Sequence, residues 1–262
     1  MSVGQKITKE LEEAEKKYQS LQPETFSTKD GTKLVKLTLE NVAKTEALIR
    51  IDSRYHHDDS KKYFPYWIKE LGKHLGYIKE EKKEYDFDNV VENVIKTIDS
   101  ENSTHLNADG VGREQMKEII KKYKSENKLL EYLEKRNFEL VKSLSAKTTP
   151  KQPEKHGRIN ISFASKFCHY ACFHIFKGED AQDNFSIYDS VVVNILPKYL
   201  ESLGITDVDM KKIYNKDYIE YSKAIDAVIR ESGNRTGEYI SRNGFDHLLW
   251  YYFKGKPQTS DK

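Results

Sequence analysis

Apolar residues recur at helical spacing along most of the chain. In FDNVVENVIKTID, Val90, Val91, Val94, Ile95 and Ile98 fall on one face of a 3.6-residue period, so Phe87–Asp99 reads as an amphipathic helix. LENVAKTEALIRI reads the same way behind Thr38, a plausible cap, as does YWIKELGKHLGYIK. Between Arg113 and Leu144, a stripe of Ile119, Ile120, Leu129, Leu130, Leu133 and Leu140 predicts one long helix or two short ones. DYIEYSKAIDAVIRES opens on Asp217 with Glu220 three residues later, the capping-box pattern, and Gly233-Asn234-Arg235 reads as a break after it. Phe245 to Phe253 reads as the last helix, and residues 5 to 22 as a charged helix stopped by Pro23. Lys29-Asp30-Gly31-Thr32 is a turn signal, and no segment makes a persuasive strand. The predicted fold class is all-α, a multi-helix fold without a core sheet.

The chemistry concentrates between Gly157 and Ser202. Ser162 is suited to cap a helix running to Phe176, with Lys166 in its first turn. Ile161, Ala164, Cys168, Ala171, Cys172 and Ile175 form a packing arc on the helical wheel. Lys166 projects from the opposite side, near Phe163, Tyr170 and Phe173. Aromatic surroundings desolvate a lysine and disfavour its charged form. Asp189 opens SVVVNIL and reads first as an N-cap, its carboxylate meeting orphan backbone N–H groups.

Ser165-Lys166-Phe167-Cys168-His169, followed by Ile187-Tyr188-Asp189-Ser190, resembles the helix-hairpin-helix DNA glycosylases, most closely their bacterial 8-oxoguanine glycosylase-like branch. The tail FDHLLWYYFKG, Phe245 to Gly255, is similar to that branch as well, and the likeness covers about the last 110 residues. The resemblance implies a base-excision enzyme acting on double-stranded DNA. Lys166 is then the catalytic lysine and Asp189 the catalytic aspartate, with Phe163, His169, Tyr170, Phe173 and Tyr188 lining a substrate pocket. No cofactor is implied. Two departures stand out: Ile161–Ser165 replaces the family's Gly-x-Gly hairpin, and Gly178–Asn184 lengthens the loop between lysine and aspartate.

Composition narrows the alternatives. The chain has 262 residues, a third of them charged and 37% hydrophobic, as expected of a helical protein with a substantial core. A net charge of +2 advertises no polyanion partner, so DNA binding needs a local basic patch. The linker signal Ala146–Gly157 suggests regions 1–146 and 158–262, or a loop at 147–157 inside one domain. Two cysteines, no apolar leader and no membrane-length apolar run predict a cytoplasmic, soluble protein.

Other constellations read as structure. Cys168, His169, Cys172 and His174 diverge too far around one helix to share a zinc ion, so no metal site is predicted. His56-His57-Asp58-Asp59 lacks a second spaced pair of ligands, and Asn107–Gly110 lacks the remaining oxygens of a calcium loop. Arg242 and His247 match the spacing of the dimeric, all-helical HEPN ribonucleases and define an alternative activity. A non-catalytic helical module binding nucleic acid or protein is the third reading.

Overall fold

The structure is a computed structural model that describes residues 20–51, 63–79, 84–102, 104–106, 112–147 and 157–254. In chain order its elements are β1 (Thr25–Ser27), β2 (Lys33–Val35), α1 (Leu39–Ile51), α2 (Phe64–His74), α3 (Phe87–Glu101), α4 (Gly112–Ser125) and α5 (Leu129–Glu134). They continue with α6 (Glu139–Leu144), α7 (Ile161–Ile175), a 3-10 turn at Asp180–Asp183, α8 (Ser190–Leu203), α9 (Met210–Tyr214), α10 (Tyr218–Thr236) and α11 (Arg242–Phe253). The protein is all-α, and one antiparallel hairpin, Thr25 opposite Val35, is the only sheet among the described residues. The predicted helix at residues 5–22, His56–Asp59 and Asn107–Gly110 lie wholly or mostly outside those residues.

Two compact units are formed, and the division does not follow the linker signal. One contains Met1–His57, Asn194–Thr206 and Asp226–Lys262; the other contains Asp58–Val193 and Asp207–Ile225. Both flanks of residues 147–157 belong to the second unit, where the Asn160 N–H donates to the Ser145 carbonyl at 3.3 Å.

In the first unit the Asp30-Gly31 signal becomes the hairpin turn. Gly31 takes φ 82°, a left-handed conformation that costs glycine little, and Asp30 accepts from the Thr28 hydroxyl and the Thr32 N–H. Leu34 and Val35 are fully buried, and the buried Tyr199 hydroxyl donates to the Val35 carbonyl at 2.7 Å. Three-residue strands are too short to show an alternating pattern. α11 packs along α1, starting at Arg242 rather than at Phe245. Gly244 lies inside its first turn, where an added Cβ would sit 3.1 Å from Val42. The predicted break at Gly233 is likewise helical: α10 continues to Thr236 because the Tyr239 ring occupies the space a side chain at 233 would need.

The second unit is built around α7, which packs against α2, α3, α5 and α6. Of its fifteen residues, only Ser162, Tyr170, Phe173 and His174 are not buried. Each fully buried aromatic or aliphatic side chain contributes roughly 1.5–3 kcal/mol, which makes α7 the energetic centre of the unit. The Arg113–Leu144 segment becomes three helices, because Asn127 and Arg136 adopt φ 55° and 54°. Asparagine tolerates that conformation; Arg136 is held in it by a 2.8 Å bond to Ser222 and by Phe138 beneath its guanidinium. Asp99 is buried and joins α3 to α4, accepting from Thr104, Leu106 N–H and Arg113. Burial raises its pKa, but these three donors together hold the carboxyl below its usual range.

Candidate functional site

α7 begins two residues earlier than its cap signal at Ser162 implies. Asn160 occupies the N-cap position without a side-chain capping bond, and Ser162 lies within the helix. Lys166 therefore sits in the second turn. The expected division into a packing arc and a lysine-bearing open side also fails, because α7 is covered on nearly every side. Lys166 is 8% exposed, and its ammonium donates to the Asn102 carbonyl at 3.2 Å. Asn102 caps the C-terminal end of α3, where helix carbonyls favour a cation.

The residues expected around Lys166 divide. Tyr170 belongs to this cluster: its hydroxyl donates to the Asn102 side-chain oxygen at 2.8 Å, and its ring stacks on Phe64 at 4.3 Å. Phe163 is fully buried against Phe167 and serves as core. Phe173 stacks on His169 at 6.1 Å, and the buried His169 pairs through Nδ1 with the Phe185 carbonyl at 2.7 Å. His169 thereby fastens the loop after α7 to the helix itself.

Asp189 is the N-cap of α8. Its Oδ1 accepts from the Val191 N–H at 2.8 Å, and its carbonyl accepts from Val193 at 2.9 Å. Immediately before it, the Tyr188 N–H donates to Ser165 Oγ at 2.9 Å. The residue preceding the lysine is thus bonded to the residue preceding the aspartate. The Tyr188 hydroxyl continues to the Ile213 carbonyl at 2.7 Å, and burial raises its pKa. The long loop between the motifs folds back on its neighbours: Gln182 donates to the Phe173 carbonyl, and Asn184 to the carbonyls of Leu133 and Glu134.

Glu101 is a member of this cluster that sequence reasoning passed over. Burial pushes its carboxyl up to about 7, against the lowering effect of the Phe64 N–H. Its Oε2 is buried with no hydrogen-bond partner among the described residues. The signal was present in the pattern, since Val94, Ile98 and Glu101 follow the i, i+4, i+7 spacing of one helix face.

Elsewhere the candidates are accounted for by packing and pairing. Burial raises the Cys168 and Cys172 thiols well above their usual range and pulls His174 down to about 4. No group of three or more His, Cys, Asp or Glu among the described residues is arranged to hold a metal. Arg242 pairs with Asp226 at 2.7 Å and His247 with Glu46. In the first unit, Phe26, Leu37, Tyr199 and Leu203 line a cavity of about 220 Å³. Its two cations are engaged, Lys36 by Glu24 and Arg235 by Glu231. No helix among the described residues is long and apolar enough to cross a membrane. Comparison with protein-family models, with curated proteins and with solved structures finds no match for this chain.

Proposed function

We propose that the α7–α8 junction carries a DNA glycosylase-like base-excision site, with Lys166 as nucleophile and Asp189 as the stabilising carboxylate. The observation that supports it is the Tyr188 N–H to Ser165 Oγ bond, which joins the lysine-bearing and aspartate-bearing motifs at adjacent residues. Asp189 has one oxygen held by the Val191 N–H, which fixes the carboxylate at the entrance of α8. In this reading the target nucleotide leaves the duplex. Asp189 stabilises positive charge on the sugar as the base departs with the bonding electron pair. The Lys166 nitrogen, after giving up a proton, bonds to C1′; opening of the sugar at O4′ then leaves an imine. Lys166 has to leave the Asn102 carbonyl before it reacts, so the excision-competent arrangement differs from this one at that contact.

The test is reductive trapping. Duplexes bearing 8-oxoguanine, uracil, an alkylated purine or an abasic site are incubated with the protein and borohydride. The expected result is a covalent adduct with wild type that is lost in Lys166→Gln. An adduct that persists in that variant assigns the chemistry to another amine. The second reading, a non-catalytic helical module, is favoured by the burial of Lys166 and its bond to a carbonyl. Neither adduct nor base release on any duplex would select it.

A further inference from the structure

The cavity of about 220 Å³ in the first unit is framed by the β1–β2 hairpin, the C-terminal end of α8 and the last turn of α10. Phe26, Leu37, Tyr199 and Leu203 give it a largely apolar lining. Its serine and threonine hydroxyls differ in what they bond to. Ser202 Oγ donates to the Tyr199 carbonyl at 3.0 Å. Thr236 Oγ1 donates to the Ser232 carbonyl at 3.0 Å and accepts from the Glu238 N–H. Ser232 also lines the cavity and is only 8% exposed, yet its hydroxyl has no hydrogen-bond partner among the described residues. An enclosed hydroxyl without a partner has given up water and gained nothing in exchange, so it suits a ligand that supplies the missing bond.

The walls are tied to one another. The Tyr199 hydroxyl donates to the Val35 carbonyl at 2.7 Å and fixes α8 to β2. The Arg235 guanidinium donates to the Ser202 and Leu203 carbonyls and fixes α10 to the end of α8. Elements cross-linked in this way hold open a space that free side chains would close by repacking. The rim is electrically balanced, with Lys36 paired to Glu24 at 2.9 Å and Arg235 to Glu231 at 3.0 Å. It therefore presents no net charge to draw in an anion or a cation.

We propose that this cavity binds a small, neutral aromatic molecule whose single N–H or O–H donates to Ser232 Oγ. The size fits, since an apolar cavity of about 150 Å³ already takes benzene and the larger one here has room for a fused pair of rings. The rings of Phe26 and Tyr199 favour an aromatic guest over an aliphatic one, because ring pairs gain more than the area they bury. The proposal goes beyond the excision reading and does not depend on it. The cavity belongs to the first unit, whereas Lys166 and Asp189 belong to the second.

The experiment titrates the full chain, methyl-labelled at leucine, with indole, 1-methylindole and indole-3-carboxylate, and follows the methyl resonances by NMR. Indole shifts the Leu37 and Leu203 methyls and saturates at roughly 0.1–1 mM, the scale for so small a ligand. 1-Methylindole keeps the ring system and lacks the N–H, so it binds wild type about tenfold more weakly. Ser232→Ala binds indole and 1-methylindole alike, which separates a lost hydrogen bond from a misfit of the extra methyl. Leu203→Trp fills the cavity from a half-buried position and abolishes the indole response at Leu37. Circular dichroism confirms that both variants are folded, and Ser232→Ala alone decides the matter if Leu203→Trp is not. The proposal is overturned if indole shifts neither methyl in wild type, or if 1-methylindole binds wild type as tightly as indole does. It is equally overturned if Ser232→Ala keeps the preference for indole, if folded Leu203→Trp still binds, or if the carboxylate binds more tightly than indole.

Discussion

The α7–α8 junction and α11 each carry a pair of residues suggestive of catalysis, and the two regions treat them in opposite ways. In α11 both cations meet carboxylates, Arg242 with Asp226 and His247 with Glu46. At the junction Lys166 donates to a helix-terminal carbonyl and Asp189 accepts from a helix-initial N–H. Side-chain ion pairs explain the α11 residues as stabilising contacts. Main-chain groups, a helix-terminal carbonyl and a helix-initial N–H, hold the junction residues instead. Motif spacing alone ranks the pairs similarly; what each group bonds to separates them.

Asp189→Asn gives the largest expected effect. Asparagine caps nearly as well, so stability changes by no more than about 1 kcal/mol, while base excision drops on the order of 100-fold or more. Asp226→Asn in the α11 region leaves excision unchanged. Denaturation curves and base-release rates for both variants decide the matter, and equal rates for Asp189→Asn and wild type would reduce Asp189 to a cap.

Next in size is Ser165→Ala. It leaves the Tyr188 N–H without its acceptor, at a cost of about 1–3 kcal/mol in urea denaturation. Trapping by Lys166 slows as well, because the two motifs lose their shared bond. A variant as stable and as fast as wild type would dissolve the special status of the junction.

Glu101→Gln and Glu46→Gln extend the comparison to pH. The folded Glu101 pKa of about 7 lies above the ordinary 4.5, so the native state holds a proton that the unfolded chain loses between those values. Stability therefore falls as pH rises through that window. Glu101→Gln removes the loss: it matches wild type near pH 4 and is more stable by roughly 1–2 kcal/mol above pH 7, allowing for the group's partial exposure. For His247, burial pulls the imidazolium down, but the Glu46 carboxylate and neighbouring Asp246 more than restore it and raise the pKa. That contribution is fully present below about pH 6.5 and is lost as pH rises through the raised value. Glu46→Gln accordingly destabilises by up to about 1 kcal/mol at pH 6 and by little at pH 9. Thermal melts from pH 4 to 9 check the pair. Relative to wild type both variants gain with rising pH, Glu101→Gln from parity to an advantage and Glu46→Gln from a deficit to parity. A variant whose difference from wild type does not change with pH would contradict its half.

Much of the helical plan was legible from periodicity. α3 begins at the predicted Phe87 and ends two residues beyond Asp99, and α1 covers the stretch read behind Thr38. Both have strong, local signals. The glycine errors have a different origin. Gly233 and Gly244 look like breaks from their low helix propensity, yet Tyr239 and Val42 occupy the space beside them. A packing partner distant in the chain or beyond the helix outweighs about 1 kcal/mol of propensity.

For the candidate site, the sequence alone determined the all-α class, the helices bearing Lys166 and Asp189, and the capping role of Asp189, because periodicity and capping depend on residues within one or two turns. Only the tertiary structure decided that Lys166 is buried on the Asn102 carbonyl, that Ser165 bonds to Tyr188, and that Glu101 is held near neutrality. A side chain's burial, partner and charge state depend on elements far away in sequence. The desolvation and hydrogen bonding that govern them arise only when those elements pack together.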